Sequence, residues 1–202
     1  MSRLTMCASL LNDSAKNGYS ILDIGCRGKE LKGLLTGVGT YQGVDLHEDD
    51  EVMFHDLEKK IPIDDASFDV VVALDVVEHV ENAHQLVSEM LRISRDKVIV
   101  SLPNMYHWKY RIRMLRGKDI GAKYRFPVRP IKDRHRWLTS YDNSREFILE
   151  NSIGFHVEIL PVIVERALGR KIFQYIDAIG SKLFPNFFAY GGMYVLTKEN
   201  KV

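Results

Sequence analysis

Apolar residues fall in two alternating rhythms along the first hundred positions. Leu4, Cys7, Ala8, Leu11 and Ala15 recur at helical spacing over residues 3–16, and Asn17-Gly18 offers a stop. A short run, residues 20–24, then reads as a strand, 29–36 as a helix, 41–45 as a second strand and 52–55 as a short third. Phe68 to Leu74 is nearly continuous in apolar side chains, the pattern of a strand covered on both faces. An amphipathic helix over 82–93 and another apolar strand over 97–102 follow. Strand and helix alternating at this interval predict a doubly wound α/β sheet, mostly parallel.

Beyond Pro103 the rhythm stops for about 35 residues, then resumes with a helix over 143–151 and late strands over 155–165 and 189–198. Between those strands, residues 166–183 carry Ala167, Leu168, Ile172, Phe173, Ile176, Ile179 and Leu183 as a helical stripe. A packed core helix is the ordinary meaning of such a stripe; a substrate lid or a peripheral membrane contact is the other.

Composition changes the picture at one place. The 202-residue chain has a formal net charge of only +1, but residues 103–137 hold 11 Lys and Arg against Asp119 and Asp133, a local +9 on a body of −8. A basic segment on an acidic body predicts an anionic substrate or partner there. The overall pI near 7.8 argues against a general nucleic-acid binder. The N-terminus carries no extended apolar leader and no run reaches membrane-spanning length, so a cytoplasmic protein is expected. The chain reads as one domain, 1–202, with the basic insertion at about 103–137. Cys7 and Cys26 are too few for a disulfide framework or a cysteine zinc site, and no metal-ligand spacing is visible, so no metal is expected.

The candidate chemistry begins where the first strand ends. Ile21-Leu22-Asp23-Ile24-Gly25-Cys26-Arg27-Gly28 places an acid and a glycine turn after an apolar run. Glycine permits positive φ and close approach of a ligand, and a following helix would aim free N–H groups at negative charge. Twenty positions beyond Gly25, Gly43-Val44-Asp45 ends a second strand in a carboxylate, where nucleotide-binding α/β folds hold a ribose diol. The G-x-G-x-x-G of dinucleotide oxidoreductases and the phosphate loop with its Gly-Lys-Ser/Thr ending are both missing.

Together these residues resemble the class I S-adenosylmethionine-dependent methyltransferases. Asp23 to Cys26 is similar to their first motif, Gly43-Val44-Asp45 to the second and Phe54-His55-Asp56-Leu57 to the adenine-contacting segment. Ile61 to Val71 with Leu74-Asp75-Val76-Val77-Glu78-His79-Val80 resembles the fourth motif of the type 11 group. A narrower resemblance, to the methionine biosynthesis protein W (MetW) family, rests on Leu102-Pro103-Asn104, His107-Trp108, Arg111-Ile112-Arg113 and Leu115-Arg116-Gly117. The resemblance implies a Rossmann-like class I sheet with an antiparallel last strand, and S-adenosylmethionine as cofactor. Asp23, Gly25, Cys26 and Gly28 would shape the methionine pocket, Asp45 and Leu46 the ribose site, Asp56 and Leu57 the adenine site, and Leu74 and Asp75 the amino acid end.

It also implies two rival roles: methyl transfer to a small or medium-sized anionic acceptor, or an accessory, S-adenosylmethionine-sensing subunit of an enzyme such as homoserine O-acetyltransferase. His79 and His107 are the candidate bases. Trp108, Arg111 and Arg113 are candidate acceptor contacts, since arginine grips carboxylate and phosphate bidentately; a solvated amphipathic helix is the plainer reading of the same segment. His135, between Arg134 and Arg136, reads as surface. The chain departs from the family where Arg27 and Lys29 stand at the second and third glycines of the first motif, which puts cofactor affinity in question.

Overall fold

The computed structural model describes residues 2–14, 17–124, 126, 128–129, 134–163 and 171–199. Seven strands, β1 (Tyr19–Ile24), β2 (Val38–Asp45), β3 (Val52–Phe54), β4 (Phe68–Leu74), β5 (Ser94–Pro103), β6 (Phe155–Val162) and β7 (Gly191–Lys198), form one sheet in the order β3-β2-β1-β4-β5-β7-β6. Pairs among the first five strands are parallel, and β7 runs antiparallel to both β5 and β6. The chain belongs architecturally to the Rossmann-like class I methyltransferase sheet that the sequence predicts.

Alternation along the strands supplies both faces. In β4, Val71 and Ala73 point to one core layer and Val70 and Val72 to the other; Leu22 and Ile24 against Ile21 do the same in β1. The first layer is closed by α2 (Ala83–Ile93) and α4 (Tyr141–Glu150), the second by α1 (Arg3–Ser14). In α2, Leu86, Val87, Met90 and Ile93 are buried, each contributing roughly 2 kcal/mol by area. Asn82 caps that helix by accepting from the Gln85 N–H at 3.1 Å, and Ser140 caps α4 by accepting from the Asn143 N–H at 3.1 Å.

Two sequence expectations are corrected. The helix expected over 29–36 is a single 3-10 turn at Lys32–Leu34. The second strand begins at Val38, earlier than expected, so residues 25–37 make the whole crossover from β1 and hold that 3-10 turn in place of an α-helix. The apolar stripe is also not in the core. Within α5 (Lys171–Leu183), Ile172, Ile176, Ile179 and Leu183 are exposed, while Asp177 and Ser181 are buried. The helix is rolled this way because Asp177 accepts from Trp108 Nε1 at 2.6 Å and Gly180 lies against Phe188 of the short α6 (Pro185–Phe188). Ala167 and Leu168 lie outside the described residues. No helix among the described residues is long and apolar enough to cross a membrane.

Candidate active site

Strand order reverses between β1 and β4, so the turns leaving these strands open onto one crevice at their carboxyl ends. A cavity of ≈ 370 Å³ lies there, lined by Gly25, Arg27, Asp45, Leu46, His55, Asp56, Leu57, Glu58, Asp75, Val76, His79, Val80, Arg134 and Arg136. A second, of ≈ 120 Å³, lies on the other side of the glycine turn, lined by Arg3, Leu4, Asp23, Gly25, Cys26, Arg27, Glu30, Leu31 and Leu74. Gly25 and Arg27 border both. The expected residues Asp23, Gly25, Cys26, Asp45, Leu46, Asp56, Leu57, Leu74, Asp75 and His79 therefore line one or other cavity, whereas Gly28 lines neither.

The near wall is built by local hydrogen bonds. Gly25 adopts φ +70 and donates its N–H to Val44 O at 2.7 Å. A Cβ there would stand 2.4 Å from Val76 Cγ2, so the closeness of the β1 and β4 turns requires glycine. Asp45 accepts from the Arg27 N–H at 2.8 Å and from its neighbour Leu46 N–H at 2.6 Å, which fixes the carboxylate at the cavity rim. Asp56 accepts from the Glu58 N–H at 3.1 Å through Oδ1, an Asx turn, and its second oxygen lies 3.8 Å from the Lys59 ammonium at the cavity wall.

Arg27 and Lys29 take φ +48 and +60, conformations that glycine adopts most easily. The path of the turn is thus that of a glycine-rich turn, with side chains added. Lys29 swings away from the cavities to Asp49 at 2.9 Å and Glu51 at 3.5 Å, and these acids raise its pKa, Asp49 most. Arg27 remains at the boundary between the cavities.

Asp23 is buried and accepts from Tyr41 Oη at 2.8 Å. Burial pushes its carboxyl up to about 7 against the pull of that hydrogen bond, with Glu30 and Asp45 adding to the rise. Burial likewise pushes the Cys26 thiol up to about 12; a Cβ on Gly43 would meet its sulfur at 2.6 Å, so Cys26 is a packing residue between the strands. Asp75 lines the crevice; its carboxylate is held by Arg3 at 3.0 Å and by Ser101 Oγ at 2.6 Å, and its N–H donates to Ser101 O at 3.1 Å.

The far wall comes from a distant segment. Arg136 and Trp137 donate their N–H groups to Glu78 O at 2.9 and 3.3 Å, and Trp137 Nε1 donates to Val80 O at 2.8 Å. Glu78 is 1% exposed and neither carboxylate oxygen has a hydrogen-bond partner among the described residues. Burial, then the nearby Asp75, raises its pKa well above the usual carboxylate range.

Several predicted residues are elsewhere. His107 is fully buried, caps α3 (Trp108–Leu115) by accepting from the Lys109 N–H at 3.2 Å, and lies 3.4 Å from Asp177. Trp108 joins it on Asp177 and packs on Phe173. Arg111 donates to Tyr106 O at 2.6 Å and lies over the Tyr106 and Phe187 rings; Arg113 donates to Asp119 O at 2.9 Å. None of the four lines the cavity, whose arginines are Arg27, Arg134 and Arg136. His135, expected at the surface, faces Glu78 at 3.9 Å with a side chain 8% exposed. The sequence signal for Arg134 and Arg136 is the basic segment as a whole; for His135 there is none, because it reaches Glu78 only through the fold.

The family model described as Methionine biosynthesis protein MetW matches residues 8–196. Among curated proteins none matches. Solved structures similar to this chain include a SAM-dependent methyltransferase from Archaeoglobus fulgidus, with TM-score 0.55 and 22% identity over 97% of this chain and 94% of that one. Another is the Haloferax volcanii complex between the Trm112 methyltransferase activator and a methyltransferase, with TM-score 0.57 and 16% identity over 98% and 90%. A SAM-dependent methyltransferase from Aquifex aeolicus gives TM-score 0.54 and 14% identity over 95% and 88%. At these identities the likeness is one of fold.

Proposed function

The chain belongs to the methionine biosynthesis protein MetW family, and from that premise we propose that it binds S-adenosylmethionine across the two cavities and transfers the methyl group to an anionic acceptor. The observation that carries this reading is that Gly25, Asp45 and Asp56, three residues in family-motif order, line one cavity at the switch point of the sheet. When bound, the sulfonium supplies an electrophilic methyl carbon for in-line displacement.

The chain's own residues then have to orient and to exclude water. Asp45 would accept the ribose hydroxyls and the second oxygen of Asp56 the adenine amino group, with Leu46 and Leu57 as apolar walls. Asp23 and the Leu74-Asp75 backbone would meet the ammonium of the amino acid end. Arg27, which has no glycine's freedom to vanish, would meet its carboxylate, while Lys29 is already committed to Asp49 and Glu51. Arg134 and Arg136 give the opposite wall its positive charge, which suits an acceptor carrying a carboxylate or phosphate. An anionic oxygen needs no base before it attacks, so orientation is the wall's main contribution. The whole chain acts as one domain in this reading, with the 103–137 segment as cover.

Calorimetric titration of the full chain with S-adenosylmethionine tests the proposal. Asp45→Ala should weaken binding about 100-fold, since it removes charge-assisted hydrogen bonds and releases the turn. Arg27→Gly separates two roles of that residue: weaker binding makes it a carboxylate contact, and tighter binding makes it an obstruction. No heat of binding to the wild type overturns the reading.

The exposed apolar face of α5 and α6 favours a second reading, an accessory subunit docked on an acyltransferase such as homoserine O-acetyltransferase. Ile172, Tyr175, Ile179, Leu183 and Phe184 all stand outside the core there. The Haloferax complex is an instance of a similar fold held by a protein partner. Binding of S-adenosylmethionine without turnover, together with acyltransferase co-purification lost in Ile179→Glu, would favour it.

A further inference from the structure

We propose that Glu78, His79 and His135 form a binding site for a divalent first-row transition-metal ion at the far wall of the cavity. One ligand atom from each of these side chains lies within 4.8 Å of the others. Glu78 Oε1 is 3.9 Å from His79 Nε2 and 3.9 Å from His135 Nε2.

The orientation of the rings supports metal binding over chance proximity. His79 Nδ1 is 2.9 Å from Arg134 O, and a carbonyl can only accept, so Nδ1 carries the hydrogen and Nε2 presents its lone pair toward Glu78. Tyr124 donates its hydroxyl to Trp137 O at 2.9 Å, so its oxygen accepts from His135 Nδ1 at 2.7 Å and His135 also presents Nε2. Each imidazole is therefore held from behind through one nitrogen and faces the carboxylate with the other, as metal-binding histidines are. Glu78 contributes a carboxyl group that is 1% exposed and whose oxygens have no hydrogen-bond partner among the described residues, an arrangement that a directly coordinated cation would relieve.

Two imidazoles and one carboxylate suit Mn, Fe, Co or Zn better than Mg or Ca, which prefer oxygen donors. Ligand atoms around a tetrahedral ion with bonds of about 2.0–2.1 Å stand about 3.3 Å apart, so each 3.9 Å Glu78–histidine separation has to close by roughly 0.6 Å, and a pair at the full 4.8 Å by about 1.5 Å. The backbone bonds of 136 and 137 to Glu78 hold the two segments while they do so. The ammonium of Lys123 lies 3.5 Å from His79 Nε2, and its charge, with that of Arg3, acts on Glu78. A metal ion held by the three side chains would displace that ammonium, beside the cavity that His79 lines. The sequence expectation of no metal rested on ligand spacing, and His135 lies 56 positions beyond His79.

The test is titration of the full chain, stripped with chelator and dialysed, with Co²⁺ read by visible absorption and with Zn²⁺ in competition. About one equivalent of Co²⁺ should bind per chain, with the bands of mixed nitrogen and oxygen ligation. Glu78→Gln and His135→Asn should each weaken it by at least about tenfold, and Tyr124→Phe, which removes only the oxygen behind His135, by about tenfold. Lys123→Met should tighten it. No saturable binding by the wild type up to about 1 mM, or binding that all four variants leave unchanged, overturns the proposal. The titration contains no S-adenosylmethionine, so its failure leaves the cofactor reading standing, and a failure of cofactor binding leaves this one.

Discussion

The two walls of the cavity are built from opposite kinds of contact. On the near wall the partners are close in sequence: Arg27 N–H to Asp45, and Tyr41 Oη to Asp23, are each 18 positions apart. On the far wall, His79 Nδ1 meets Arg134 O across 55 positions and Trp137 Nε1 meets Val80 O across 57. The near wall is continuous with β1 and β2 and shares their core. The far wall is a surface strap held by backbone and ring hydrogen bonds. A locally built wall should fail together with the fold, and a strapped one should loosen by itself.

The sharpest way to break the near wall is Gly25→Ala. The new methyl meets Val76 Cγ2 at 2.4 Å and must also hold φ +70. Left-handed backbone and overpacking together predict a loss of about 3 kcal/mol in chemical denaturation. A loss under about 1 kcal/mol would mean that Val76 turns aside, and that the near wall is not locked to β4.

Trp137→Ala addresses the far wall. It deletes one hydrogen bond and a half-exposed ring, so about 2 kcal/mol is expected at the strap. Limited trypsin digestion should cut faster at Arg134 and Arg136, while far-ultraviolet circular dichroism and the denaturation midpoint shift little. If global stability fell as far as in Gly25→Ala, the strap would be core and the contrast between the walls would collapse.

The same contrast explains what was legible in the sequence. The sheet could be read because both faces of β4 and β5 are apolar, and their strands lie between helices of ordinary spacing. Asp23, Asp45 and Asp56 could be read because each ends or follows a strand, where position in the chain determines position in the fold. The missing helix after the glycine turn was not legible, since the early start of β2 at Val38 is a pairing with Tyr19 that no local pattern announces. Nor was the inward Asp177: an amphipathic stripe predicts which residues share a face, and Trp108, from a different helix, decides which face turns in. Nor was the position of His107, which lies away from the cavity beside Asp177 for the same reason.

The smallest expected effect lies in Asp23, on the near wall. Its carboxyl, raised from 3.8 to about 7, keeps a proton in the folded chain that the unfolded chain has released. Stability drawn from that proton is present at low pH and declines as pH rises from about 4 through 7. A cationic ammonium in the smaller cavity would favour the ionised form and reverse the burden, so cofactor binding should tighten about tenfold between pH 6 and 8, with proton release near neutrality. Calorimetry in two buffers of different ionisation enthalpy measures that release directly. Asp23→Asn should bind with no such dependence on pH. If the wild type is equally flat, the ammonium does not sit beside Asp23, and the near wall holds only the nucleoside half of the ligand.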